Sequence, residues 1–161
     1  MNEDDVGVII VTFNSAQHIE RCLRSLASTP DRPLSVVLVD NASEDATLEL
    51  VRHVIDDLAL RVDVIANGGN QGFASGVNQA AAHLQSLAPY APIVLVNPDL
   101  VVEPLTLGRL IKRLDDSGNS TIVGGVTRPP SHWAQPSVLS VAMQAFGSNA
   151  NARHPAQPAW P

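Results

Sequence analysis

Short apolar runs punctuate the N-terminal part of the chain, and each is followed by a stretch whose apolar positions recur at helical spacing. Val6 to Thr12 is rich in Val and Ile with no polar alternation, the pattern of a strand covered on both faces. After Asn14 or Ser15, either of which can cap a helix, Ile19, Cys22, Leu23 and Leu26 fall at i, i+3, i+4 and i+7. Leu34 to Val39 is the next run, and beyond Asp40-Asn41-Ala42-Ser43 a second helix is expected to bury Val51, Val54, Ile55 and Leu58. Arg61 to Ala66 predicts a weaker, partly polar strand, followed by a glycine-rich turn and a helix with Phe73, Val77, Ala80, Leu84 and Leu87 on one side. Ile93 to Val96 predicts a fourth strand. Pro104 is placed to open a helix that buries Leu107, Leu110, Ile111 and Leu114. Ile122 and Val123 suggest a fifth strand, and Val138 to Phe146 reads as a short helix.

Strands this apolar need helices on both faces. The fold class expected is therefore α/β, an open and mostly parallel sheet with right-handed crossovers and helices on both faces. Ligands of such sheets bind beyond the carboxyl ends of the strands, which directs attention to Thr12-Phe13-Asn14, Asp40-Asn41, Asn67 to Gly72, and Asn97-Pro98-Asp99. After Asp116 no acidic residue recurs, and six of the twelve prolines lie between Pro129 and Pro161. A folded domain over residues 1–125 and a Pro-rich, poorly structured segment over 126–161 are expected, with Ser148 to Pro161 largely without structure.

Composition narrows the chemistry. Of the 161 residues 45% are hydrophobic and 16% charged, which is the make-up of a packed domain. The net charge of −6, with Lys112 the single lysine and the arginines scattered, would repel nucleic acid, so a bound anion would need a metal or backbone N–H groups. No apolar run is long enough to span a bilayer, and Met1 to Asp5 is acidic where a secretion signal is basic, so a cytoplasmic location is expected. The lone cysteine, Cys22, lies on an apolar helical stripe and reads as a core thiol.

Each of the strand-end turns admits two readings. Asp40 can accept hydrogen bonds from a nucleobase or a sugar hydroxyl, or it can cap the following helix. Asn67-Gly68-Gly69-Asn70-Gln71-Gly72-Phe73 either offers backbone N–H groups to a ligand or is a tight turn; its spacing is not that of the dinucleotide fingerprint. Asn78 can face the crevice or solvent. Asn97-Pro98-Asp99 is either a plain turn or, with Asp40 nearby and lysine scarce, a site for Mg2+ or Mn2+ shared with a diphosphate.

Taken in order, Val8 to Asn14, Val37 to Ser43, Asn67 to Asn78 and Leu95 to Asp99 resemble the nucleotide-sugar-binding half of family 2 glycosyltransferases with the GT-A fold, over roughly residues 6 to 125. The resemblance implies that Thr12 and Asn14 line the nucleotide pocket and that Asp40 contacts base or ribose. It implies that Asn70, Gln71, Gly72 and Asn78 border the nucleotide, and that Asp99 is the metal-binding carboxylate of the family's D-x-D motif. Asn97 stands where that motif often has its first Asp, a form common in the branch resembling rhamnosyltransferases, and one fewer charge implies weaker metal binding. The implied donor is a UDP- or dTDP-linked sugar. The implied acceptor is a glycan or lipid-linked glycan assembled at the inner membrane face.

The resemblance implies inversion of the anomeric centre with a carboxylate base from an acceptor half, which on the usual size of these domains is expected to lie beyond these residues. His132 and His154 are weak stand-ins in Pro-rich surroundings, and no residue is identified as the base. Two readings follow. One is a glycosyltransferase shortened or completed by another chain, and the other a non-catalytic nucleotide-sugar-binding module. A phosphoacceptor receiver domain shares the alternating elements but needs its acidic pair after the first strand, whereas Asp4-Asp5 precede it.

Overall fold

A computed structural model describes residues 5–29, 33–58, 60–88, 92–117, 122–126 and 138–142. Its elements are β1 (Val6–Thr12), α1 (Ile19–Ala27), β2 (Leu34–Asp40), α2 (Thr47–Asp57), β3 (Arg61–Ala66), α3 (Phe73–Leu87), β4 (Ile93–Val96), α4 (Thr106–Ser117), β5 (Ile122–Val126) and β6 (Val138–Ala142). The strands form one sheet in the order β3-β2-β1-β4-β6-β5. β3, β2, β1 and β4 are mutually parallel, and β6 runs antiparallel to both β4 and β5.

Every residue of β1 is buried, because helices cover both of its faces. On one face Val6, Val8, Ile10, Val36, Leu38, Val94 and Val96 pack against α1, α2 and α4 through residues that include Ile19, Leu23, Val51 and Ile111. On the other, Ile9, Val11, Val37 and Val39 meet Ala80 and Leu84 of α3. Each fully buried Leu or Ile here contributes about 1.5–3 kcal/mol by leaving water. α3 comes close to the sheet because Gly76 has no side chain: a Cβ there would lie 2.8 Å from Cγ1 of Val11. β3 is the polar edge, with both ends exposed.

The helical stripes of α1 and α4 bury the residues expected of them, and four differences from the sequence reading have local causes. Neither Asn14 nor Ser15 caps α1, which starts at Ile19 after a turn in which the N–H groups of His18 and Ile19 donate to the Ser15 carbonyl. Phe73 is half exposed, since α3 begins there and its sheet-facing stripe is Gly76, Ala80 and Leu84. Leu105 adopts a left-handed φ of +67°, so α4 begins at Thr106 and not at Pro104. Finally, Val138–Ala142 is a strand where a helix over Val138 to Phe146 was expected; its backbone is paired with β5 along its length and with β4 at Val141 and Ala142. Pairing on two sides outweighs local propensity, and it builds this part of the 126–161 segment into the sheet. His132, His154 and Ser148 to Pro161 lie outside the described residues.

Candidate nucleotide-binding site at the carboxyl rim

The strand order reverses direction at β1, which has β2 on one side and β4 on the other. Beyond the carboxyl end of a strand at such a reversal, the flanking loops part and leave a crevice. Thr12 sits at that end of β1, in register with Asp40 at the end of β2, and Ile10 is in register with Val96, so the Asn97–Asp99 turn leaves the sheet at the same rim.

Thr12 and Asp40 are both buried, with relative exposures of 1% and 0%. Asp40 accepts from the Ser43 backbone N–H at 2.9 Å and from the Ser43 hydroxyl, which holds the 41–43 loop in a turn that puts Ala42 at a φ of +63°. Asp40 is therefore no helix cap. Asp45 serves the entry to α2, accepting from the backbone N–H of Thr47 at 2.9 Å and of Ala16 at 3.1 Å. The Thr47 hydroxyl donates to it as well, and this bond foremost holds its carboxyl below the usual 3.8. The Thr12 hydroxyl, in contrast, has no hydrogen-bond partner among the described residues. A buried hydroxyl left unpaired costs about 1–3 kcal/mol, so it calls for a partner.

Around this buried pair the loops are stitched together. Asn14, at a φ of +50°, donates its N–H to Ser43 Oγ at 2.9 Å and accepts the Glu44 N–H at 2.8 Å through Oδ1. Asn41 donates through Nδ2 to the Gly72 carbonyl at 3.2 Å and accepts from Asn67 Nδ2 at 3.0 Å. Asn67 also donates to Gln79, which donates in turn to Gln71 at 3.2 Å. Asn70 Oδ1 accepts the Gly72 N–H at 2.9 Å, and Gly72 holds a φ of +82° that favours glycine. The structure thus joins Thr12, Asn14, Asp40, Asn70 and Gly72 in one rim. Asn78 is exposed, two positions past Gly76 and so about 200° around α3 from its sheet-facing stripe.

Asn97 is half-buried and Asp99 exposed. Among the described residues no group of three or more His, Cys, Asp or Glu side chains is placed to hold a metal ion. An amide oxygen and a carboxylate, both hard donors, nevertheless fit Mg2+ or Mn2+ when diphosphate oxygens complete the shell. Asn67 stands in the glycine-rich turn named from the sequence, whereas Ser43 and Gln79 were not named as rim residues: their bonds to Asn14 and Asn67 join positions 29 and 12 apart in the chain.

The profile of glycosyl transferase family 2 matches residues 7–154. The chain belongs to that family. Among curated relatives of this family 2 chain, N-acetylglucosaminyl-diphospho-decaprenol L-rhamnosyltransferase of Mycobacterium tuberculosis is 28% identical over 141 residues, covering 83% of this chain and 45% of the relative. A mannosyltransferase of Pyrobaculum calidifontis, solved with GDP-Man and Mn2+, superimposes with a TM-score of 0.62 at 29% identity, covering 71% of this chain and 33% of that one. TarS of S. aureus, solved with UDP-GlcNAc, does so with a TM-score of 0.58 at 28% identity over 70% of this chain and 31% of that one. The fold is that of the GT-A glycosyltransferases. This family 2 chain spans less than half the length of the curated relatives it matches.

Proposed function

We propose that the chain is the donor-binding half of a glycosyltransferase that takes a UDP- or dTDP-linked sugar and transfers it to a glycan or lipid-linked acceptor. The observation that carries this reading is the unpaired, buried Thr12 hydroxyl beside Asp40, at the reversal point of the sheet and on the same rim as the Asn97–Asp99 turn. The nucleotide enters between the β1 and β4 loops. The Thr12 hydroxyl and the Asn14 loop line its pocket, and Asp40 accepts an N–H or hydroxyl from the base or ribose, sharing its carboxylate with Ser43. Asn70 and Gly72 border the same ligand from the turn that leads into α3. That similar structures were solved with GDP-Man and Mn2+ and with UDP-GlcNAc supports a nucleotide-sugar donor.

Asn97 and Asp99 would hold Mg2+ or Mn2+ against the diphosphate, with the weaker grip expected of one carboxylate in place of two. A cation held there would supply positive charge against the diphosphate leaving group. The base that takes the acceptor's proton comes from an acceptor half, in this polypeptide or in a completing chain. Family membership supports inversion at the anomeric carbon, and the decaprenol-linked acceptor in the name of the Mycobacterium relative supports a lipid-linked one; a place at the inner membrane face is part of the proposal. Among the described residues no helix is long and apolar enough to cross a membrane, which is compatible with a peripheral location.

The test is calorimetric titration of UDP and dTDP with and without Mn2+, on the wild type and on Asp99→Ala. Tighter binding with Mn2+ in the wild type, lost in Asp99→Ala with the fold intact, is the expected result. Unchanged affinity in the variant removes Asp99 from the site. Donor binding without transfer to any acceptor is the behaviour of a non-catalytic module.

A further inference from the structure

Hydrogen bonds from α1 reach both the start of the turn that carries Asn97 and Asp99 and the chain that follows it. At the start of the turn the Asn97 carbonyl accepts the Leu100 N–H at 3.2 Å and lies 3.7 Å from the Cys22 thiol, which donates to it. At the end, the Val102 N–H donates to the Ser25 hydroxyl at 3.0 Å, while the same hydroxyl donates to the Cys22 carbonyl at 2.7 Å. Val102 is buried among the residues packed on α1, so the chain between these two anchors is short and has little freedom. Ser25 is half-buried and on the helix flank; it is needed neither for the apolar stripe, which is Ile19, Cys22, Leu23 and Leu26, nor for a helix cap.

We infer that Ser25, with Cys22 behind it, is a positioning residue for the cation-binding turn, fixing Asn97 and Asp99 at the rim so that they meet a divalent cation and a diphosphate without first being ordered. This rests on the donor-site reading given above. The physical reason is that a two-ligand cation site on a loop gains affinity chiefly by being preorganised: whatever freedom the turn keeps in the free chain must be given up on binding. Ser25 supplies a hydrogen-bond acceptor to a backbone N–H that would otherwise be unpaired next to the core. The Cys22 thiol adds a weaker contact at the other end.

The role separates from a structural one by which part of binding it touches. Ser25→Ala keeps the helix and the apolar stripe but loses the acceptor for Val102. Ser25→Thr keeps the hydroxyl, and Thr is able to bond back to the preceding helical turn as Ser25 does. Titrations of UDP into the full chain, with Mn2+ and with chelator, give two affinities for each variant. Ser25→Ala is expected to lose about tenfold of the Mn2+-dependent increment, the effect of one positioned hydrogen bond, with its metal-free affinity within about twofold of wild type. Ser25→Thr is expected to restore the increment. An undiminished increment in Ser25→Ala overturns the inference, as does an equal loss with and without metal, or a Ser25→Thr variant no better than Ser25→Ala. A wild-type chain that binds UDP equally with and without Mn2+ fails differently, since it overturns the cation site itself and Ser25's role with it.

Discussion

Thr12 and Asp40 stand side by side in parallel register at the carboxyl ends of β1 and β2, both buried, yet among the described residues only Asp40 finds partners for its side chain. Asp40 turns inward to hold its own loop through Ser43. Thr12 keeps a hydroxyl out of water that none of the described residues bonds. The pair is one satisfied and one unsatisfied polar group at the point where the sheet reverses, and the second of these is what a ligand has to gain from.

Replacing Thr12 by Val removes the hydroxyl at nearly the same shape. Because that hydroxyl is unpaired, its loss should stabilise the free protein by about 1 kcal/mol, whereas a paired buried hydroxyl would cost a similar amount to remove. Binding of UDP or dTDP should weaken in the same variant. Urea unfolding and calorimetric titration, run on the same preparations, measure the two effects. Stability gained together with affinity lost is the signature of a group kept for a ligand.

Ala42 sits at a φ of +63° in the turn that Ser43 ties to Asp40. A left-handed backbone costs an ordinary residue about 1–2 kcal/mol, part of which glycine gives back through its larger unfolded-state entropy. Ala42→Gly should therefore raise stability by about 0.5 kcal/mol. Ser43→Ala in the same loop should lower it by about 1–3 kcal/mol, because a buried carboxylate loses its hydroxyl donor. Denaturant midpoints of the two variants should move in opposite directions.

How much of this was legible beforehand depended on range. The apolar runs at Val6 to Thr12 and Ile93 to Val96 and the stripes of α1 and α4 are local patterns, and the structure has them. So are the strand-end turns, which is why the rim could be named from the sequence. The bonds that fill the rim were not legible: Asn14 meets Ser43, and Asn67 meets Gln79, through loops that only the folded sheet brings together. Helix entries failed for a similar reason. Asn14 and Ser15 carry capping side chains, but cross-loop partners claim Asn14, and the chain makes a further turn before α1 begins. Phe73 fitted the helical period on its apolar character alone, whereas proximity of α3 to β1 selects the small Gly76.

That proximity is testable. Gly76→Ala places a methyl 2.8 Å from Cγ1 of Val11, in a contact between two buried elements with no flexible chain end to give way. Overpacking of this kind costs about 1–3 kcal/mol, against about 1 kcal/mol gained from alanine's helix propensity, so a net loss of roughly 1 kcal/mol is expected. Val11→Ala alone should also destabilise, by loss of buried surface. In the double variant the two should be much less than additive, since the truncated Val11 makes room for the new methyl. Thermal or urea unfolding of the four proteins completes the cycle.

Cys22 gives a pH dependence whose sign can be worked out. Burial foremost, and then the negative charge of Asp99, push its thiol from 9.0 up to about 12. Below about pH 9 the thiol is protonated in folded and unfolded chains alike, and Cys22 adds no slope to stability. Between 9.0 and about 12 the unfolded thiol ionises while the folded one keeps its proton, so the unfolded state binds fewer protons and stability falls as pH rises. The slope from this one group approaches about 1.4 kcal/mol per pH unit. Other groups titrate in the same window, so the quantity to measure is the difference between wild type and Cys22→Ala. The variant should be less stable at neutral pH because of the cavity it leaves, and its disadvantage should shrink steadily as the pH is raised through 9 to 11. The folded wild type should also resist thiol reagents at about pH 8 and react only when unfolded, because the thiol is both buried and protonated. Parallel pH profiles for the two proteins would show that Cys22 ionises as readily in the folded chain as in the unfolded one.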